Sequence, residues 1–576
     1  MNQKLENILN VSLDATEDEL RKADSLSTGY NWRDNTWEII VKYSGSLESI
    51  RNRYNVYIKE LLNYYAIIVA DKATIELISQ EDVIDYVEKP KSLYYQIERT
   101  KTAACVGSVR ADGNILSGKG VIVGVIDTGI DIFDNAFRNS DGTTRILNIY
   151  DQTTGEKYDK QSIDEYIRLN EDLSGGTFSY DNAPGVDNIM HGTDVSYIAA
   201  GSLGVAYEAD IIAVKMGYSI NNQFPRTTSL MDAIDYIIRK AIEYRKPVAV
   251  NISYGCNYGA HNGNTLLESF IDDISKSYRC VICVGSGNEA DKAIHFGGII
   301  NTGQVQTAYL SVGEYQSAID IQIWKNYWDT IDVMLINPRG EQIGIITEGR
   351  INRYETYNTE IITLLGEPSP YNIYQEIYIN LIPKTDYILS GIWQIVLMAG
   401  SIRAGEYNIW LPSSQALGNA TSFNNPTADG TITIPATARN CIAVGAYNAY
   451  TNSYAAFSGR GFDNSIRNVN AGVKPDITAP GVDISIARQR GNDITYRNVT
   501  GTSYAVPVVT GAAALLMQWG IVMGNDRFMY GEKLKAALID GSKPVGLVGI
   551  TRNDNQPDPR TGWGAVCLKN TLNKIL

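Results

Sequence analysis

Histidine is nearly missing: the 576 residues contain 3, His191, His261 and His295, so imidazole chemistry has few places to sit. Cysteine is scarce too. Its 6 copies (Cys105, Cys256, Cys280, Cys283, Cys441, Cys567) are scattered through a chain far too large to need stapling, so reduced and mostly buried thiols are expected. Cys280 and Cys283 have CxxC spacing, but an odd offset on a strand sends side chains to opposite faces, which disfavours a chelate or redox pair. The N-terminus lacks an apolar signal region: Met1-Asn2-Gln3-Lys4-Leu5-Glu6-Asn7 leads into the acidic stretch Ala15-Thr16-Glu17-Asp18-Glu19-Leu20. No run reads as long enough to span a bilayer, so neither a signal peptide nor a transmembrane segment is expected. Positive charge is in deficit, and the net −14 argues against nucleic acid or an anionic membrane surface as partner.

What is present is an ordinary globular composition, 44% hydrophobic and 20% charged, in a chain long enough for two or three domains. The stretch Gly501-Thr502-Ser503-Tyr504-Ala505-Val506-Pro507 runs into Val508 to Met517, a segment apolar on every side that must lie inside a domain. If Ser503 begins that helix, Pro507 falls within its first turn, where a missing N–H costs nothing. Ser503 then has unpaired N–H groups and the positive end of a helix dipole beside its hydroxyl, a good place to stabilise an oxyanion. The plainer reading is an N-cap. A nucleophilic serine needs a neutral imidazole and a carboxylate to orient it. His261 lies in a polar loop and His295 in a glycine-rich turn. His191 opens His191-Gly192-Thr193-Asp194-Val195, a helix start. The apolar run Val121 to Ile126 reads as a strand buried on both faces, ending in Asp127-Thr128-Gly129 at the edge where open α/β sheets put their chemistry.

Residues 1 to about 35 are polar with helical spacing and no clear task. From Trp37 to Gln96 the periodicity gives strands at Trp37 to Tyr43, Asn55 to Lys59, Tyr64 to Val69 and Val83 to Val87, with helices at Leu47 to Arg53 and Lys72 to Ser79, a split βαβ unit. From Gly120 strands at Val121 to Ile126, Asp210 to Lys215, Pro247 to Ser253, Cys280 to Val284 and Cys441 to Ala446 alternate with helices, which means a parallel sheet covered on both faces. Between about Gly298 and Asn425 short alternating strands replace helical spacing and read as a β-sandwich or jelly roll. The predicted domains are 1–96, 97–297, 298–425 (inserted, all-β) and 426–576.

The motifs Val-Ile-Asp127-Thr-Gly, His191-Gly-Thr and Gly-Thr-Ser503-x-Ala-x-Pro, in that order, resemble the subtilisin-like serine peptidases. A fourth block, Val281 to Glu289, looks like the family's strand ending in the oxyanion-hole asparagine, here Asn288. The resemblance implies a doubly wound, mostly parallel α/β fold with residues 1–96 as a ferredoxin-like α+β propeptide. It implies self-cleavage after Gln96, releasing Ile97 as a new N-terminus. A permanent, uncut regulatory domain is the alternative. It also implies that Ser253-Tyr254-Gly255 pairs with substrate backbone and that Gly285, Ser286 and Gly287 form a wall of the pocket for the residue before the cut. The insert, the long propeptide and the ending around Tyr530 to Lys533 and Thr561 to Gly564 are similar to the clostridial germination-protease (Csp) branch. There the propeptide stays bound non-covalently after cleavage, the jelly roll braces the core, and the target is the precursor of a spore-cortex hydrolase. A cytoplasmic or spore-associated location follows from that likeness.

Three departures from the family pattern stand out. Asp194 replaces a second histidine, with either the helix dipole or the imidazole as its partner. Tyr197 replaces a glycine and Tyr504 a small residue or methionine. Members of the branch that have lost catalytic residues act as pseudoproteases, so a binding scaffold is the alternative function. Asp-Thr-Gly is also the aspartic-protease signature, but those enzymes need two aspartates sharing a proton, and this motif occurs once. No cofactor is required by the chemistry. Subtilases often hold structural Ca²⁺, and Asp131 to Asp134 and Asp554 to Asp558 could supply oxygen ligands, though the metal site stays unknown.

Overall fold

The computed structural model describes residues 2–92, 94–95, 116–173, 183–217, 224–344, 346, 350–418, 420–462, 473–490, 493–546 and 556–575. Gln96, Ile97, Cys105 and Asp554 lie outside them. At the centre is a nine-stranded sheet among the described residues. Its parallel strands are β1 (Ile122–Asp127), β2 (Ile146–Asp151), β3 (Asp210–Lys215), β4 (Val248–Ile252), β5 (Cys280–Gly285), β6 (Ile442–Asn448) and β7 (Ile477–Pro480), in the order β7-β6-β5-β4-β1-β3-β2.

The strands are apolar on both sides because both faces are covered. Val123, Val125, Cys283 and Val444 face one core with helices α1 (His191–Ala200) and α4 (Thr502–Met517). Ile122, Ile126, Cys280 and Ile282 face another with α2 (Thr227–Tyr244) and α3 (Leu266–Ser277). Cys280 and Cys283 thus point to opposite faces, as buried free thiols. Helix α4 is buried along its whole length. The run Thr502–Val522 is in fact long and apolar enough to cross a bilayer by length and composition, contrary to the expectation of no such run, but it is mostly buried inside the fold.

The N-terminal unit forms a five-stranded antiparallel sheet of Tyr30–Asn31, Thr36–Tyr43, Tyr57–Leu61, Tyr65–Ala70 and Ile84–Glu88. One face lies on α2 and α3, where Ile40, Leu61, Tyr65 and Ile67 join the core. Leu62 N donates to Asp235 (3.0 Å), Tyr65 Oη to Asp273 (3.3 Å), and Leu266 N to Glu88 Oε2 (2.8 Å). The first 35 residues, expected to have no task, supply Ile8, Leu9, Val11 and Leu13 from helix Asn7–Asp14 to a core shared with Ile362, Leu364, Tyr378 and Ile382. Lys91 is ion-paired with Glu6 (2.7 Å) and Glu88 at this three-way seam.

Between β5 and β6 the chain builds a six-stranded and a five-stranded antiparallel sheet that share one apolar core, with Ile319, Ile321 and Ile323 from one meeting Val333 and Leu335 from the other. The opening strand is His295–Ile299, paired antiparallel with Glu406–Trp410. It begins before the expected 298, and His295 lies on a strand, not in a turn, because Gly297 and Gly298 sit within the ladder and mimic a break in the sequence.

Candidate active site

Asp127 closes β1, and His191 opens α1 immediately beside it. Nδ1 of His191 lies 2.6 Å from Asp127 Oδ1, which also accepts from Thr128 N at 2.8 Å. A carboxylate only accepts, so Nδ1 carries the hydrogen of this bond. Nε2 is buried and without a hydrogen-bond partner. This approach depends on Gly192, where a Cβ would stand 2.3 Å from Gly129 O and 2.9 Å from Asp127 Cβ. The loop ahead of His191 is organised by Asp187, missed in the sequence, whose Oδ1 accepts from Met190 N (2.7 Å) and Thr128 Oγ1 (2.7 Å). Its Oδ2 accepts from Thr193 N (2.8 Å) and Thr193 Oγ1 (2.7 Å).

Ser503 sits in the first turn of α4, which packs against α1, and the ring of the next residue, Tyr504, lies 5.3 Å from the His191 ring in an edge arrangement. Asp127, His191 and Ser503 are each at most 1% exposed. No hydrogen bond joins His191 to Ser503, since Nε2 has none. Catalytic hydrogen bonds are commonly long until substrate is bound. Burial pushes the Tyr504 phenol upward, so it stays neutral.

The helix begins at Thr502, so Pro507 stands beyond the first turn, contrary to expectation. Its missing N–H would have gone to the Ser503 carbonyl four residues back. Ser253 Oγ donates to that carbonyl instead, at 3.3 Å, and accepts from Asn251 Nδ2 at 3.0 Å. Asn288 is fixed by its oxygen, which accepts from Thr502 N (3.0 Å) and Thr502 Oγ1 (3.1 Å). Asn288 Nδ2 is left buried and unpaired.

The edge Tyr254–Gly255 pairs antiparallel with Tyr94–Tyr95, with Tyr254 opposite Tyr95 and Gly255 opposite Tyr94. Gly285, Ser286 and Gly287 follow β5. Ser286 Oγ is 3.3 Å from Ser458 Oγ, Ser286 O accepts from Thr433 N (3.0 Å), and a Cβ at Gly287 (φ +94°) would lie 2.6 Å from Thr433 Cγ2. Thr433 and Ser458 therefore back this wall, which no local motif announces.

The other histidines are structural. His261 and His295 both stack on Trp410, at 4.2 and 4.9 Å between ring centroids. Asp194 turns neither to the imidazole nor to the helix dipole alone: it is ion-paired with Arg488 (3.1 Å) and Arg497. Among the described residues no three His, Cys, Asp or Glu side chains gather as a metal site. Asp131 is paired with Arg490 (2.6 Å) and Asp558 with Arg560 (3.1 Å).

Comparison with known proteins identifies the family. A profile of the Csp protease B prodomain matches residues 3–91, and one of the subtilase family matches residues 118–367 and 412–564. The structure of the Clostridium perfringens CspB protease superposes with a TM-score of 0.74 at 34% identity, covering 82% of this chain and 96% of that one. The Subtilase-type proteinase RRT12 of Saccharomyces cerevisiae is 39% identical over 88 residues, 15% of this chain and 15% of its own length. Subtilisin-like protease 10 of Arthroderma otae is 34% identical over 126 residues, 20% of this chain and 28% of its own. The matched part thus spans a minor share of these two curated relatives. With an N-terminal prodomain and a subtilase profile over most of the remainder, the chain belongs to the subtilase family of serine peptidases.

Proposed function

We propose that this chain is a self-processing serine endopeptidase that cuts between Gln96 and Ile97 and then acts on a protein substrate by limited proteolysis. The observation that carries the reading is the pairing of Tyr94–Tyr95 with Tyr254–Gly255. Ser253 directly precedes the paired Tyr254, and its hydroxyl donates to the Ser503 carbonyl, while Gln96 itself lies outside the described residues. Substrate held by strand addition would be read the same way.

In this reading Asp127 orients His191, and His191 Nε2 takes the Ser503 proton as Oγ attacks the carbonyl carbon of residue 96. The oxyanion receives Asn288 Nδ2 and Ser503 N–H, donors already in place. Collapse expels the amine of residue 97, protonated by His191, and water hydrolyses the acyl-enzyme by the same route. The prodomain, held on α2, α3 and the insert, remains bound after the cut. We read the two-sheet insert as a jelly roll that braces the core. The germination role, with a spore-cortex hydrolase precursor as target and a cytoplasmic or spore-associated location, rests on likeness to the Csp branch. The scaffold alternative has no observation in its favour, since the triad side chains are all present and buried together.

N-terminal sequencing of purified wild-type and Ser503→Ala protein is the test. The wild type should yield a second N-terminus at Ile97 and the variant a single uncut chain. An uncut wild type overturns self-processing, and a new N-terminus elsewhere overturns the Gln96 boundary.

A further inference from the structure

The departures at Asp194 and Tyr197 meet on one surface. Between β7 and α4 lies a hairpin of Ile484–Arg490 and Asp493–Val499, and it packs against α1. Its Arg488 Nε stands 3.1 Å from Asp194 Oδ1, while the Arg497 guanidinium pairs with the other carboxylate oxygen. Asp194 is fully buried. Arg497 Nη2 also donates to Met190 O at 3.1 Å. Met190 directly precedes His191 and holds a left-handed φ of 70°, which a non-glycine residue keeps only when its surroundings impose it. One turn along α1, the Tyr197 hydroxyl accepts from the Ala487 backbone. At the hairpin's far end Arg490 Nε donates to Asp131 Oδ2 at 2.7 Å, in the loop that follows Asp127.

The second strand of this hairpin continues through Val499, Thr500 and Gly501 into Ser503. The hairpin that leads into Ser503 is therefore fastened by arginines to Met190 and Asp194, which flank His191 in sequence, and to the loop after Asp127.

We propose that Arg497 and Asp194 are positioning residues for the peptidase reaction: through the Met190 carbonyl and the first turn of α1 they set the His191 ring against Ser503. The inference rests on the peptidase reading above. An aspartate suits the place because two guanidinium groups arrive there, and Arg497 Nη2 meets both the Asp194 carboxylate and the Met190 carbonyl; a lysine keeps the charge but on a shorter, more flexible stem without the rigid planar head that fixes this nitrogen between them. The charged groups around the imidazole are Asp127 at 2.6 Å, Asp187 in the preceding loop, and Asp194 with its two arginines.

The test is the rate at which a fluorophosphonate labels Ser503 in the full-length protein between about pH 5 and 9, the window in which histidine titrates. Asp194→Asn leaves two guanidinium charges uncompensated near His191, so the acid limb should move to lower pH. Arg497→Gln leaves a carboxylate less compensated, so the limb should move to higher pH. Arg497→Lys keeps the charge, so its limb should stay while the plateau rate falls about tenfold or more, as expected for a misplaced catalytic group. Opposite shifts with that plateau loss support the assignment. Wild-type limbs and plateau rates in Arg497→Lys and Arg497→Gln, with only a lower melting temperature, would overturn it, and Arg497→Lys serves if Asp194→Asn fails to fold. Absence of labelling in the wild type would overturn the peptidase reading itself.

Discussion

Asn288 accepts two hydrogen bonds through its amide oxygen from Thr502, the residue before Ser503, which leaves its buried nitrogen without a partner. The donor is fixed before any oxyanion forms, which is what makes such a group effective. Asn288→Ala should lower kcat by about 10² to 10³ with little change in KM, measured on processed enzyme with a peptide substrate. An equal rise in KM with kcat intact would mean the residue binds ground-state substrate instead.

Gly192 is the hinge of the Asp127–His191 approach. Gly192→Ala places a methyl 2.3 Å from the Gly129 carbonyl, and backbone cannot swing aside as a side chain can. A stability loss of about 1 to 3 kcal/mol is expected, together with loss of self-cleavage. Urea denaturation of the variant in the uncut Ser503→Ala background separates the first effect from the second.

Pro507 and Ser253 should be coupled although they are distant in sequence. Ser253→Ala removes the hydroxyl that meets the Ser503 carbonyl and should cost about 1 kcal/mol. In a Pro507→Ala chain the helix supplies its own N–H, and the same change should cost measurably less. A double-mutant cycle reads the difference directly.

The seam between prodomain and insert should respond to pH. Burial, then the neighbouring Glu6 carboxylate, pushes Glu376 up to about 8. The folded chain keeps a proton there that the unfolded chain sheds above about pH 4.5. Its stabilisation is complete below that value and is lost as pH rises through about 8. Burial holds Lys89 down at about 7, so its contribution runs the other way, rising between about 7 and 10.5. Glu376→Gln should flatten the fall in melting temperature between about pH 5 and 8. An unchanged slope would place the titrating group elsewhere.

The strands of the sheet core were legible wherever burial on both faces produced an unbroken apolar run, as in Ile122–Asp127 and Cys280–Gly285. Strand β2 was missed because Asn148 and Asp151 interrupt its pattern, and β7 because it is short and ends in Pro480. Asp127, His191, Asn288 and Ser503 were legible because each sits in a local motif at the end of a strand or the start of a helix. Their supports were not. One partner of Asp194, Arg488, lies 294 residues away in sequence, and nothing local tells its side chain to turn inward. Asp187 is hidden for a simpler reason: its hydrogen bonds go to main-chain groups and threonines, which leave no trace in residue type.

Strands β5 and β6 lie side by side in the sheet, yet the chain travels from residue 285 to residue 442 between them. As loose polymer such a tether would resist closure, though only logarithmically with its length. The zipped mouth of the insert, His295–Ile299 against Glu406–Trp410, removes most of that resistance by presenting the two ends as near neighbours. The excursion can therefore lengthen, shorten or change its loops without loosening Asn288, provided the zipper at its base holds.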